Sequence, residues 1–330
     1  MIDPGLPFLE AALSPEQTAR AIESSKRFAG TRVRVRMTNL LRHKPGKRAV
    51  LAYELLVTHA NGRTERVDAI GKMRASRPPR TAYLLARALW QHGFASDNAD
   101  GISVPEPLGT VPALGMWLQR RVMGCVATFY LTMSDAAPVA RRIAAAAHKL
   151  HTAGVAPERA HGPSDELSIL QRVLGDVMQT QPSLRDRIQK LLAACARVCQ
   201  RLQPIATGIH RDFYSDQVIV DDTRLYLLDF DLYCAGPAAL DLGNFAGHLL
   251  EQQLREPEHA SALRAAHEAL EAQYAVLVGE SVLSQMRAFT ALTLARHVYL
   301  STVIPERADT TSRVLDLATA HTEALLDVAV

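Results

Sequence analysis

Lysine is scarce in this chain. There are six among 330 residues and none after Lys190, against 31 arginines, so a lysine in a suggestive position carries more weight than usual. The excess of positive charge is small, +3, too little for a nucleic-acid binder. Four cysteines are few for this length. Cys195 and Cys199 are four apart, but no second Cys or His pair stands near them to complete a zinc set, so they read as inert thiols. No apolar run approaches a bilayer span, and no basic stretch followed by an apolar one stands at the N-terminus. The expectation is a soluble cytoplasmic protein with no membrane and no nucleic-acid partner. Internal repeats, low-complexity tracts and a GxGxxG loop are absent as well. Hydrophobic content of 48% supports a sizeable core, and the length allows two lobes. The oligomeric state is not readable from the sequence.

The patterning divides the chain. Ser14-Pro15-Glu16-Gln17 predicts a helix over 13–28, with Ser14 as N-cap and Pro15 in the first turn. Val33, Val35 and Met37 alternate with Arg, and Ala49–Leu55 is a second strand-like run; Lys44–Arg48 makes the basic turn between them. Asn61-Gly62 predicts a hairpin leading into Val67–Met73. Pro78-Pro79 opens a helix to about His92 with Leu85, Ala86, Leu89 and Trp90 on its apolar face, and short strands are expected near Val104–Pro107 and Leu114–Val122. After Gly124 helices predominate: 138–153, 166–179, 183–203, 240–256, 260–278, 283–303 and 311–326. The fold class is therefore α+β. A small antiparallel β-sheet lobe with one main helix, residues 1–121, precedes a larger, mostly helical lobe, residues 122–330.

The chemistry concentrates in His210–Asp231, HRDFYSDQVIVDDTRLYLLDFD. Asp212 lies in a His-Arg-Asp triplet, Gln217 follows five residues later, and Asp229 ends the apolar run Leu225–Leu228 twelve residues beyond that. Phosphoryl transfer from a nucleotide needs a carboxylate to orient and deprotonate a hydroxyl, and hard oxygen ligands for Mg²⁺. Asp212 is the candidate base; Gln217 and Asp229 are the candidate metal ligands. Asp231 either takes a second Mg²⁺ or repels it. His210 reads as a structural hydrogen-bonding residue, Asp241 as an anchor for the catalytic loop, and His148 and His151 as packing residues. Lys72 ends a strand in the β-rich lobe, where it can reach phosphate oxygens. Lys44 sits in a turn that either drapes over phosphates with Gly46 or is a solvated hairpin tip.

Together these segments resemble the aminoglycoside phosphotransferase/choline kinase superfamily of small-molecule kinases, which share the protein-kinase-like fold. The resemblance spans about residues 30–300. It rests on Ala69-Ile70-Gly71-Lys72, the Leu118–Gly124 hinge, His148-Lys149-Leu150-His151, the His210–Gln217 loop, Leu228-Asp229-Phe230-Asp231 and Asp241-Leu242-Gly243. It implies ATP with Mg²⁺ as cofactors, GTP being the other purine option. Asp212 is then the base, Gln217 and Asp229 hold metal, Lys72 binds phosphate, and backbone around Gln119–Arg121 binds adenine. The partner is a small-molecule hydroxyl compound: an aminoglycoside, a sugar, an amino alcohol or another metabolite. Protein kinases are the nearest rival, but Tyr214 stands where their catalytic-loop Lys would be, and only eleven residues separate Asp229 from Asp241. The pattern departs twice. Gln217 replaces an Asn, and the Pro78–His92 helix has no acidic residue to pair with Lys72, leaving Glu54 and Glu106 as candidate partners. That second departure keeps a nucleotide-binding pseudokinase or scaffold as the alternative. The glutamates between Glu251 and Glu271 are interleaved with Arg and His and read as a solvated helix face.

Overall fold

The computed structural model describes residues 3–76 and 78–327. The backbone groups into two compact units, residues 1–124 with 226–231, and residues 125–225 with 232–330. A six-residue piece, 226–231, of the segment where sequence concentrates the candidate chemistry belongs to the first unit.

The first unit begins with two short helices, α1 (Leu9–Leu13) and α2 (Pro15–Glu23). Ser14 caps α2 through Gln17 N, 3.5 Å away, and Pro15 supplies a preset φ in the first turn. Strands β1 (Arg32–Lys44), β2 (Arg48–Thr58) and β3 (Thr64–Arg74) follow. Helix α3 (Pro79–Leu89), β4 (Ile102–Ser103), β5 (Pro107–Val111) and β6 (Met116–Arg120) complete the unit. The antiparallel sheet has the order β1-β2-β3-β6-β5. Gly62, at φ 80°, and the Asn61 side chain, which accepts from Arg63 N, make the β2–β3 turn.

Period-two patterning decides which face each residue takes. Leu51, Tyr53, Leu55, Val67, Ala69 and Met73 are buried in a core shared with Leu9, Ile22 and Phe28. The intervening residues of β2 and β3, including Arg48, Glu54, Asp68, Lys72 and Arg74, stand on the opposite face. Gly71 is required on the core side: a Cβ there would lie 2.3 Å from the Met116 sulfur. The alternation in β1 breaks between Val35 and Met37, where a bulge shifts the register, so Met37 is exposed. The Pro79 helix ends earlier than its pattern implies. His92 and Gly93 leave helical geometry, and the chain finishes in a wide turn, Trp90–Phe94.

The second unit opens with β7 (Cys125–Val126) and the helices α4 (Ala127–Leu131), α5 (Ala136–Thr152), α6 (Pro163–Thr180) and α7 (Arg185–Cys199). Then come β8 (Thr207–Ile209), β9 (Val218–Val220) and β11 (Cys234–Gly236); β10 (Leu225–Leu227) falls mostly in the first unit. Helices α8 (Ala238–Arg255), α9 (Ala260–Val278), α10 (Val282–Val303) and α11 (Thr311–Asp327) finish the chain. Helix α10 is buried on nearly all sides from Met286 to Ser301, which marks it as the central helix of this unit. Its neighbour α8 approaches closely at Gly243 and Gly247. A Cβ at Gly243 would stand 2.5 Å from Phe289 Cβ, and one at Gly247 2.6 Å from Thr293 Cγ2. This glycine pair, one turn apart, lets α8 pack closely against α10. The result is a bilobal, protein-kinase-like architecture: an N-terminal antiparallel β lobe and a larger, mostly helical C-terminal lobe. Among the described residues no helix is long and apolar enough to cross a membrane.

Candidate active site

In the helical unit the His210–Gln217 segment leaves β8 and is held from below by α8. The Asp241 carboxylate is fully buried. It accepts from His210 N at 2.7 Å, from Arg211 N at 2.7 Å and from His151 Nε2 at 2.9 Å. The Tyr274 hydroxyl lies 2.9 Å from His151 Nδ1 and fixes that ring from the other side. A carboxylate is suited to this because it accepts several strong N–H bonds at once. The anchoring has a purpose visible in the backbone. Arg211 has φ 70°, a left-handed conformation that costs a non-glycine residue roughly 1–2 kcal/mol. The turn directs Asp212, which is half-buried. The Gln217 amide donates to Asp212 Oδ2 at 3.5 Å, so these two predicted residues stand side by side.

One turn along α8, Asn244 donates to Phe213 O at 2.9 Å, and Arg296 of α10 donates to the Asn244 amide oxygen. The next turn brings His248 flat against Tyr214, ring centroids 4.6 Å apart, with His297 edge-on behind it at 4.4 Å. Burial, with the charges of Arg296, Arg307 and Arg255, pushes His248 down to about 3, so this ring is neutral at physiological pH. Asp241, Asn244 and His248 thus form one supporting face beneath the loop. Asn244 and His248 were not singled out by sequence. The spacing i, i+3, i+7 from Asp241 is the signal that could have found them. Of the glutamates expected on a solvated face, Glu258 and Glu268 are exposed, and the others are tied up locally. Glu251 is buried against Arg255 and Arg307, and Glu271 pairs with Arg287 at 3.2 Å.

In the N-terminal unit Asp229 ends β10 with φ 53°. Arg211 and Asp229 are the two non-glycine residues of positive φ among the described residues, and both lie in the segment where sequence places the chemistry. Asp229 and Asp231 converge on one guanidinium. Arg74 Nη2 is 3.2 Å from Asp229 Oδ1 and also pairs with Asp231, while Arg48 Nη1 is 3.9 Å from Asp229 Oδ2. Two hard carboxylates that meet on a cation have the donor chemistry for Mg²⁺, which takes one or two protein carboxylates and leaves the remaining positions to phosphate and water. Among the described residues no three His, Cys, Asp or Glu side chains form a metal-holding group, so any metal here depends on oxygens from outside the chain or on amides.

Lys72 lies beside this cluster with its ammonium 5.5 Å over the Trp117 ring. Burial pulls its pKa down; the Asp229 charge opposes that, and Arg74 and Arg48 reinforce it. Neither expected partner reaches it. Glu54 pairs with Arg36 and Arg66 of the neighbouring strands, and Glu106 pairs with Arg27, which follows α2, and with Arg120 of β6. Among the described residues no carboxylate oxygen lies within 4 Å of the Lys72 ammonium. Lys72, Trp117, Gln119, Asp229 and Asp231 line a narrow cavity of about 20 Å³ with Ala82, Leu85 and Ala86 of α3 and Val104. That is room for about one water.

At the end of β6 the N–H of Arg120 donates to Glu106 O and that of Arg121 to Asp68 O, both at 2.8 Å. The Lys44 side chain is exposed at the β1–β2 turn. The N–H of Gly46 there is taken by the Asp3 carboxylate, which also contacts His43 at 2.7 Å. These bonds, the His43 contact foremost, hold the Asp3 carboxyl below its usual range. Asp3 pins the turn, and nothing in the local pattern of residues 1–10 points to it.

The architecture matches solved structures at low identity. A choline/ethanolamine kinase family protein from Mesorhizobium loti aligns with TM-score 0.58 and 15% identity, covering 94% of each chain. The aminoglycoside phosphotransferase APH(4)-Ia, as a thermostable mutant in ternary complex with AMP-PNP and hygromycin B, aligns at 0.56 and 14%, covering 94% of this chain and 98% of that one. A glucosamine kinase aligns at 0.51 and 14%, covering 98% and 99%. No curated protein matches the sequence. The family model for the phosphotransferase enzyme family matches residues 41–277. That match covers well over half of the chain, which therefore belongs to the phosphotransferase enzyme family, within the aminoglycoside phosphotransferase/choline kinase superfamily.

Proposed function

We propose that this protein transfers the γ-phosphate of ATP, with Mg²⁺, to a hydroxyl group of a small molecule, and that Asp212 is the base. The observation that carries the reading is the strained, Asp241-anchored turn that holds Asp212 beside Gln217. Backbone strain held in place by a buried carboxylate fits a side chain whose position matters more than its basicity.

In this reading Asp212 accepts a hydrogen bond from the acceptor hydroxyl, orients its oxygen toward the γ-phosphorus and takes its proton as the new P–O bond forms. The bond from the γ-phosphorus to the bridging oxygen breaks, and ADP leaves. Gln217, whose amide nitrogen is turned to Asp212, and Asp229 are the residues that would hold the metal, one through an amide oxygen and the other through a carboxylate. When bound, Mg²⁺ would offset negative charge on the phosphates. Lys72 would bind α- or β-phosphate oxygens. Asp231 would take a second metal or restrain Arg74, and His210 would keep the loop's shape. Lys44 would add a cation from the β1–β2 turn. The short path from Asp229 to Asp241 favours a small acceptor over a peptide. Aminoglycosides, sugars and amino alcohols all fit that class. GTP is the other nucleotide to test, since backbone contacts at the hinge can serve either purine.

The absence of a carboxylate on Lys72 favours a second reading, a nucleotide-binding scaffold without turnover. One screen separates the two. Wild type and Asp212→Ala are assayed for γ-phosphate transfer from Mg·ATP and Mg·GTP to a library of hydroxyl metabolites. The enzyme reading predicts transfer that Asp212→Ala abolishes while nucleotide binding persists. Nucleotide binding with no transfer by either protein would support the scaffold.

A further inference from the structure

Lys72 shares its sheet face with two guanidinium groups, Arg74 and Arg48. Register explains how they meet. Lys72 and Arg74 are alternate residues of β3 and project from one face, and Arg48 of β2 is directly opposite Arg74. Three cations are thereby gathered around Asp229 and Asp231. Arg74 holds both carboxylates, and Arg48 approaches Asp229 to 3.9 Å. The five side chains carry a formal charge of 3 − 2 = +1. A divalent cation on the aspartates would release both guanidiniums. The face would then offer three cations, two of them forked donors suited to phosphate oxygens.

We propose that Arg74, backed by Arg48, is a triphosphate-binding residue of this chain, stored on Asp229 and Asp231 until a divalent cation takes those carboxylates over. The proposal rests on the kinase reading given above and adds to it the residues that do the work of the missing Lys72–carboxylate pair. Arg74 therefore has two opposed effects. It competes with a bare metal ion for the aspartates, and it stabilises the metal–nucleotide complex. An arginine with only a structural role has no reason to act in opposite directions on the two ligands.

Arg74→Met, which keeps the apolar stem, and Arg74→Lys, which keeps the charge without the fork, are compared with wild type by calorimetry. Three ligands are titrated: Mn²⁺ alone, Mg²⁺ with the non-hydrolysable ATP analogue AMP-PNP, and AMP. For Arg74→Met the expected results are a roughly 10–100-fold weaker Mg·AMP-PNP complex, the size of one lost charge-assisted contact. Mn²⁺ alone should bind several-fold more tightly, and AMP should be unchanged. Arg74→Lys should fall between the two proteins for AMP-PNP, and it keeps the test informative if the methionine variant folds poorly. The inference is overturned if Mg·AMP-PNP affinity changes by less than twofold, if AMP weakens as much as AMP-PNP, or if Mn²⁺ alone binds more weakly. Wild type that binds AMP but not Mg·AMP-PNP would sink the kinase reading itself, and this inference with it.

Discussion

The Asp241 anchor makes the sharpest prediction about how the loop is built. In Asp241→Asn the side chain keeps its shape but loses its charge and one acceptor oxygen. Oδ2 receives two of the three bonds, so with the amide oxygen in its place one bond, that from Arg211 N, becomes a donor–donor contact and the other two become bonds to a neutral acceptor. Bonds to a charged group contribute about 1.5–3 kcal/mol each, so roughly 3–5 kcal/mol of stability is at stake. Part of that returns when Arg211 relaxes out of its left-handed conformation, about 1–2 kcal/mol. The net expectation is a loss of about 2–4 kcal/mol in urea denaturation at pH 7, with much faster amide exchange at His210 and Arg211. A double-mutant cycle isolates the strain. Gly at position 211 carries no strain to release, so the relief counted in each single change is gained only once together, and Arg211→Gly combined with Asp241→Asn should be about 1 kcal/mol more damaging than the sum of the single changes. A loss below about 0.5 kcal/mol, or strict additivity with unchanged exchange, would refute the reasoning.

Three further outcomes follow. Gly243→Ala forces a Cβ to 2.5 Å from Phe289 Cβ and 2.7 Å from Met286 O, and should cost about 1–3 kcal/mol in urea unfolding by overpacking α8 on α10. His248, pushed down to about 3 chiefly by burial, binds fewer protons folded than unfolded between that value and about 6.5. Its stabilisation is present above the unfolded pKa and is lost as pH falls, with a slope of up to about 1.4 kcal/mol per pH unit; urea titrations from pH 7 to 5 should show the fall, and His248→Phe should flatten it. Asp3→Ala should free the β1–β2 turn, seen as faster tryptic cleavage after Lys47 with the rest of the chain resistant.

Much of this was legible because the information is local. Ser14-Pro15 and Asn61-Gly62 act through their own backbone, and the long helices declare themselves by period, except α10, which is buried on nearly all sides and shows as a long apolar stretch. The His210–Asp231 segment carries its residue types at fixed spacing in one stretch. What was missed depends on register or on distant segments. Arg74 meets Asp229 only because β3 ends beside the β10 turn within the same unit. Asp3 reaches Gly46 across some forty residues. Met37 was expected to continue an alternation that a bulge interrupts. Glu54 and Glu106 looked available to Lys72 by charge alone, and their pairing with flanking arginines is set by the sheet. The short helices α1 and α4 have too few turns to show a period.

The account turns on Asp212 as the group that makes a hydroxyl reactive. The most direct measurement is single-turnover transfer from γ-labelled Mg·ATP to the best acceptor found in the metabolite screen, for wild type and Asp212→Asn. The account predicts that Asp212→Asn binds Mg·ATP as tightly as wild type and transfers phosphate roughly 10²–10⁴-fold more slowly, the usual worth of a positioned base. Equal transfer rates for the two proteins would contradict it.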